Sequence, residues 1–166
     1  MTPDELRSLQ APFKDQYRNQ PETALITLRA EGRAGEGVTC HVQTGKALVA
    51  AGLHPGAGGG GTEVCAGDML LEALVACAGV TLRAVATALN IPLRGATLRA
   101  EGDMDFRGTL AVSKEVPVGF QKIRLHFDLD TDATEEQKAT LIRLTERYCV
   151  VYQTLVRPPE VVVDAL

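Results

Sequence analysis

Residues 68–89 carry a helical pattern in which nearly every position is apolar. Asp68 stands at its start and predicts an N-cap, while Asn90–Pro92 predicts an end near residue 89. The only charged residues in the span are Asp68, Glu72 and Arg83, and at 100° per residue they share one stripe of ~60°. The pattern therefore predicts a central helix with a single narrow polar face.

Alternating apolar and polar positions predict strands on both sides of this helix. In Thr97–Arg107 and Phe120–Asp130 the alternation is clean, which is typical of antiparallel strands buried on one face. Three shorter strands are predicted before the helix. The first covers residues 23–30 and the second 38–43, with a turn at 32–37 between them, and the third ends at residue 49.

Thr134–Gln137 has the capping-box pattern and predicts a second helix that ends at Cys149. Pro158 and Pro159 interrupt the chain before a last apolar strand, Val161–Val163. The order of strands, helix, strands, helix and strand indicates an α+β fold with helices segregated onto a sheet. We interpret 1–20 as an N-terminal helical segment and 21–166 as a single domain.

Composition excludes several classes of function. A net charge of −4, a pI near 5.4 and the absence of Trp argue against a nucleic-acid or anionic-membrane surface. No uninterrupted apolar run approaches the ~18 residues of a membrane span, and the polar N-terminus has no signal-peptide core. These features predict a cytoplasmic protein. The scattered histidines predict no metal site, and Gly56–Gly61 predicts a flexible loop rather than a dinucleotide site.

The four cysteines, Cys40, Cys65, Cys77 and Cys149, are widely spaced and form no C-x-x-C pair. Persistent structural disulfides are rare in the cytoplasm, so any disulfide here is expected to be catalytic or sensing.

Cys77 lies on the apolar face of the predicted central helix, opposite its charged stripe. It is ~14 Å along the axis from the helix start, too far for the helix dipole to lower its thiol pKa. Two interpretations stay open. Cys77 can be a small apolar residue in the core, or a reactive thiol activated by a cation from elsewhere in the fold.

Four stretches together resemble one known family. They are L-x-A-C-x-x-V-T-L-R around Cys77, D-F-R-G at 105–108, VPVGFQKI at 116–123 and ERYCVVYQTL around Cys149. The chain resembles the OsmC/Ohr family of cysteine-based peroxidases over about Thr23 to Val163.

This resemblance implies strongly curved antiparallel sheets wrapped around two central helices in an intertwined homodimer. It implies that Cys77 is the peroxidatic cysteine and Cys149 the resolving cysteine, which form an intramolecular disulfide. Arg33 would stabilise the Cys77 thiolate, and Asp68 or Glu63 would hold that arginine, with Asp68 preferred. No bound cofactor is implied; a small apolar hydroperoxide would be the substrate and an external dithiol, typically a lipoyl group, the reductant.

The sequence departs from the family pattern at three places. Ala66 and Gly67 replace a common Pro-Glu pair, Val150 replaces a proline that often comes after the second cysteine, and Cys65 is unusual. These departures indicate an OsmC-like subgroup whose physiological substrate need not be a peroxide. One alternative function is a non-enzymatic OsmC-like dimer that binds an apolar small molecule with its cysteines only packed, and another is a thiol redox sensor.

Overall fold

The computed structural model describes residues 2–20, 31–34, 39–44, 47–111 and 113–165. Its helices are α1 Pro3–Asn19, α2 Ala66–Ala88, α3 Phe106–Thr109, α4 Glu135–Tyr148 and α5 Val150–Val156. Its strands are β1 Glu31–Ala34, β2 Thr39–Thr44, β3 Ala47–Gly52, β4 Val64–Cys65, β5 Gly95–Met104 and β6 Phe120–Asp130. The architecture is α+β, which confirms the predicted class.

The chain forms two compact units, each assembled from segments that are distant in sequence. The first unit comprises Met1–Asp15, Ala73–Arg99 and Leu125–Leu166, and the second comprises Gln16–Glu72 and Ala100–Arg124. The division into 1–20 and 21–166 stays a prediction.

The second unit contains a four-stranded sheet in the order β1, β2, β3, β4. β2 pairs antiparallel with β1 and β3, and β4 pairs parallel with β3. The sequence prediction of a turn at 32–37 is wrong for Arg33, which lies in β1 opposite His41. Pairing with β2 holds this Gly-rich segment extended despite its turn composition. The predicted strand at 23–30 falls outside the described residues.

The glycine-rich loop joins β3 to β4. His54 accepts a hydrogen bond from the Gly56 N–H at 2.9 Å, and its ring stacks on Phe106 with 5.0 Å between centroids. A Cβ on Gly59 would come within 1.7 Å of the Leu53 carbonyl oxygen, so this close approach requires glycine. Strand β4 separates the loop from α2, an order that the dinucleotide fingerprint does not have.

Helix α2 begins at Ala66, directly after β4, so the prediction that Asp68 is the N-cap is wrong: Asp68 lies inside the first turn. The helix ends at Ala88, and Asn90 takes the left-handed conformation (φ 53°) that is common just after a helix. By length and composition alone α2 could cross a membrane, although Asp68, Glu72 and Arg83 interrupt its apolar run.

The core of the first unit joins the C-terminal half of α2 to α4 and to the connections around them. Its buried residues are Leu82, Val85, Ala86, Ile91, Ala133 and Leu141. Each fully buried leucine contributes about 2 kcal/mol of burial free energy. The buried side of α2 is therefore anchored in the first unit by this core.

Strand β6 has the predicted bounds, and α4 opens with the predicted capping box between Thr134 and Gln137. β5 stops at Met104 instead of continuing to Arg107, because the Asp105 side chain accepts the Arg107 N–H and starts the short helix α3. The predicted strand Val161–Val163 is absent from the described chain, where these valines are exposed. Helix α5 was not predicted.

Candidate functional site

Cys77 lies in the middle of α2 and is half-buried. One turn further on, the Thr81 hydroxyl donates a 2.8 Å hydrogen bond to the Cys77 carbonyl. The carbonyl is thus held by both the helix and a side chain. Nothing within α2 itself brings a free N–H group to the sulfur, since the helix starts at Ala66, ~16 Å away along the axis.

Cys149 is completely buried and lies between α4 and α5. Its backbone is extended (φ −73°, ψ 111°), so one helix ends and another begins at this residue. Its N–H donates to the Thr145 carbonyl at 2.9 Å and closes α4. Its sulfur accepts the Tyr152 N–H at 3.5 Å and caps α5.

The start of α5 faces both sulfur atoms. The first N–H groups of a helix have no partner inside the helix. The N–H groups of Val150 and Val151 interact with the Cys77 sulfur, and that of Tyr152 interacts with the Cys149 sulfur. The first turn of α5 therefore supplies hydrogen-bond donors to both thiols.

These contacts determine the ionisation of Cys77. Burial raises the pKa of the Cys77 thiol, but hydrogen bonds from the Val151 N–H, the Cys149 thiol and the Val150 N–H together outweigh it. A small further contribution comes from the Thr81 hydroxyl. The pKa of Cys77 consequently lies below its ordinary value, so more of the nucleophilic thiolate is present near neutral pH.

The pKa of Cys149 moves in the opposite direction. Burial raises it most; the Tyr152 and Val151 N–H groups lower it, and the neighbouring Cys77 raises it again. The net pKa of Cys149 lies above its ordinary value. Cys149 therefore stays protonated at a pH where part of Cys77 is ionised, and the neighbouring Cys149 thiol favours the Cys77 thiolate. Both cysteines are free thiols in this structure.

The other predicted site residues lie elsewhere. The Arg33 backbone belongs to β1, and its side chain falls outside the described parts. Asp68 is exposed in the first turn of α2 and has no ion-pair partner among the described residues. Glu63 precedes β4 and packs against Gly52, where an added Cβ would lie 2.8 Å from the Glu63 Cβ. Cys65 ends β4 and is half-buried.

Sequence reasoning missed the contribution of backbone N–H groups to this site. The residues that carry them, Val150 and Val151, are β-branched, and the pattern there predicted only the end of a helix. One signal was available: Cys149 ends a helix, and its sulfur can cap a helix that begins at the next residue. Among the described residues, no group of three or more His, Cys, Asp or Glu side chains could hold a metal ion.

Solved structures with the same fold come from the OsmC-like and organic hydroperoxide resistance proteins. An OsmC-like protein from Mycoplasma pneumoniae is 16% identical, with a TM-score of 0.67 over 80% of this chain and 89% of that one. An organic hydroperoxide resistance protein from Elizabethkingia anophelis is 20% identical, with a TM-score of 0.65 over 81% of this chain and 90% of that one. A third, from Legionella pneumophila and described as an organic hydroperoxide resistance protein OsmC, is 18% identical, with a TM-score of 0.63 over 81% and 91%.

The family model described as OsmC-like protein matches residues 59–164. The chain therefore belongs to the OsmC-like protein family. No curated protein matches the sequence. At these identities the solved structures establish the fold alone.

Proposed function

We propose that the protein is a thiol-dependent peroxidase that reduces organic hydroperoxides in defence against oxidative stress. The observation that carries the proposal is the contact between Cys77 and Cys149. Their surroundings lower the pKa of the Cys77 thiol and raise the pKa of the Cys149 thiol. A nucleophilic thiolate beside a protonated thiol is the pair that a two-cysteine peroxidase needs. Membership of a family whose solved structures include hydroperoxide resistance proteins supports the same activity.

In the first step the Cys77 thiolate attacks the outer oxygen of the hydroperoxide. The O–O bond breaks, an S–O bond forms, and the departing alkoxide takes up a proton to leave as the alcohol. Cys77 is oxidised to a sulfenic acid and the hydroperoxide is reduced by two electrons. The N–H groups of Val150 and Val151 hold the thiolate in place for this attack.

In the second step Cys149 attacks the sulfenic sulfur. An S–S bond forms between Cys149 and Cys77, and the hydroxyl leaves with the Cys149 proton as water. Because Cys149 is completely buried, its thiol reacts with Cys77 and is shielded from solutes. Disulfide formation also stops oxidation of Cys77 beyond the reversible sulfenic acid.

In the third step an external dithiol reduces the disulfide by exchange and is itself oxidised to a disulfide. No bound cofactor is needed, and a lipoyl group is the reductant that the family resemblance favours. The apolar side chains of α2 favour a small apolar hydroperoxide over a highly hydrated one.

The resemblance also proposes Arg33 as a second source of positive charge for the Cys77 thiolate. Asp68 or Glu63 would hold its guanidinium. The working form is proposed to be an intertwined cytoplasmic homodimer with strongly curved sheets around paired central helices. Valines exposed in the isolated chain, such as Val80 on α2 (73% exposed), suit a surface that a second copy covers.

The test is turnover of an organic hydroperoxide with added dithiol. Cys77→Ser is expected to abolish turnover, because serine cannot form a sulfenic acid. Cys149→Ser is expected to form the sulfenic acid once, trapped by a sulfenate-specific reagent, and then to lose efficient turnover. Cys65→Ser is the matched control, since it removes another half-buried thiol, and should keep wild-type activity.

Unchanged turnover in Cys77→Ser would contradict the proposal. Native alkylation separates it from the apolar-binding alternative, because only a thiolate reacts and its fraction rises with pH through the Cys77 pKa. A peroxidase requires Cys77 to be alkylated at a pH below the pKa of free cysteine, about 8.5. A Cys77 that is inert there would favour the binding module.

A further inference from the structure

A cleft of about 620 Å³ lies between the C-terminal half of α4 and α5, entirely within the first unit. This volume falls within the range of small-molecule sites, about 300–1,000 Å³. The side chains that matter for its chemistry are three arginines, one glutamate and two apolar residues: Arg143, Arg147, Arg157, Glu146, Tyr152 and Val156.

The arginines of the cleft differ from most others in the described chain. Elsewhere, Arg94 pairs with Asp130 and Asp132, and Arg124 pairs with Glu101 and Asp103. Within the described residues, the three cleft arginines form no ion pair, although the Arg147 guanidinium lies 5.5 Å from the centre of the Tyr148 ring. A chain with a net charge of −4 thus gathers three guanidinium groups, none of them in an ion pair within the described residues, around one cavity.

Glu146 reduces the charge of the cleft but does not cancel it, so the lining carries a net charge of about +2 at neutral pH. Tyr152 and Val156 give the wall an apolar part, and Val156 is 51% exposed. Guanidinium groups bind carboxylates and phosphates through paired N–H donors. Charge, volume and lining together describe a site for a ligand that is anionic at one end and apolar at the other.

We propose that this cleft is a binding site for a small organic anion that carries a carboxylate or phosphate group and an apolar or aromatic body. The arginines bind the acid group, and the body packs against Tyr152 and Val156. Glu146 opposes the anion and limits its affinity.

The cleft and the cysteine pair share α5. The Tyr152 side chain lines the cleft, while its N–H donates to the Cys149 sulfur at 3.5 Å. Anion binding nevertheless needs no redox chemistry, because it takes place on the reduced protein. Failure of the peroxidase assay would leave the anion site intact, and failure of binding would leave the peroxidase proposal intact.

The experiment titrates the reduced full-length protein with phenyl phosphate and with benzoate, and uses benzyl alcohol as the neutral analogue. Backbone NMR shifts locate the site, and calorimetry gives the dissociation constant. We expect shifts concentrated at 143–157 for one or both anions and none for benzyl alcohol. The anion that binds more tightly identifies the preferred acid group.

Charge variants supply effects of opposite sign. Arg143→Gln combined with Arg147→Gln is expected to weaken binding by about a hundredfold, since each lost hydrogen bond to a charged group weakens binding by about tenfold. Glu146→Gln is expected to tighten binding several-fold. Arg99→Gln, an exposed arginine on β5 outside the cleft, is the matched control and should change nothing.

Three results would overturn the proposal. The first is no localised shift at anion concentrations up to about 10 mM, which means a dissociation constant weaker than about 10 mM. The second is equal weakening of anion binding by Arg99→Gln and by the cleft variants. The third is weaker anion binding in Glu146→Gln than in the wild type. Unfolded variants are recognised by their NMR dispersion, and in that case Glu146→Gln and Arg157→Gln carry the test.

Discussion

The middle of α2 and the junction between α4 and α5 each hold one cysteine, but they contribute differently to the site. α2 contributes its thiol and only one small donor, the Thr81 hydroxyl, because the free N–H groups at its own start lie ~16 Å away along the axis. The junction offers a buried thiol, Cys149, together with the open N–H groups at the start of α5. The same junction lowers the pKa of Cys77 and raises that of Cys149.

The difference shows that the reactivity of a cysteine cannot be assigned to the helix that carries it. On α2 alone, Cys77 is a small residue on an apolar face. It becomes a candidate nucleophile because a second helix begins beside it. Cys149 is the residue that makes this possible, since its extended backbone ends α4 and its sulfur caps α5.

The largest effect is expected when one thiol is removed and the pKa of the other is measured. Cys149→Ala removes a hydrogen-bond donor from the Cys77 thiolate, so the pKa of Cys77 should rise. The rate of Cys77 alkylation at neutral pH should fall by about tenfold, the value of one hydrogen bond to a charged group. In Cys77→Ala the pKa of Cys149 should fall, because Cys77 contributes to its elevation. Shifts of the same sign in the two variants would contradict this assignment of the two thiols.

A smaller effect is expected from Val150→Pro. Proline is well suited to the first position of a helix, and the extended Cys149 before it is already compatible with proline. The substitution removes only the Val150 N–H, one of the donors to Cys77. We expect a folded protein whose Cys77 is alkylated about threefold more slowly at neutral pH, within the range for a partial loss of one hydrogen bond. Val150→Ala keeps the N–H and is the control; faster alkylation in Val150→Pro than in this control would refute the role of the N–H.

The smallest effect on the thiols is expected from Thr145→Val. Thr145 is buried on α4, and its hydroxyl has no hydrogen-bond partner among the described residues. Replacing this hydroxyl with a methyl of similar shape should change the free energy of unfolding by no more than about 1 kcal/mol, in the stabilising direction. Because the hydroxyl does not interact with either sulfur, Cys77 alkylation should be unchanged. A clear loss of stability on denaturant unfolding would mean that the Thr145 hydroxyl has a partner after all.

Much of the fold could be predicted because its local signals agree with its packing. β6 alternates cleanly over Phe120–Asp130, and α4 starts at a capping box, so the sequence predicted where each of these two elements begins. The first hairpin was predicted less well, since Arg33 lies in a Gly-rich segment whose composition favours a turn. Pairing with β2 decided its conformation, and no local pattern reports such pairing.

The site was harder to predict than the fold. Periodicity placed Cys77 on an apolar face, but only the family resemblance connected it with Cys149, because the two residues are far apart in sequence. Helix α5 was missed because Val150 and Val151 favour strands, and the buried cap at Cys149 overrides that preference. With α5 missing from the prediction, the donors to Cys77 could not be identified, and a cation was expected in their place.

The most direct test of the central claim measures the ionisation of both thiols in one sample. In the reduced protein, the NMR resonance of each cysteine Cβ carbon reports its own thiol, whether or not reagents can reach it. We predict that Cys77 ionises first, below the pKa of free cysteine of about 8.5, and that Cys149 ionises above it. If Cys149 ionises first, or both ionise at the free-cysteine value, the junction does not activate Cys77 and the central claim is wrong.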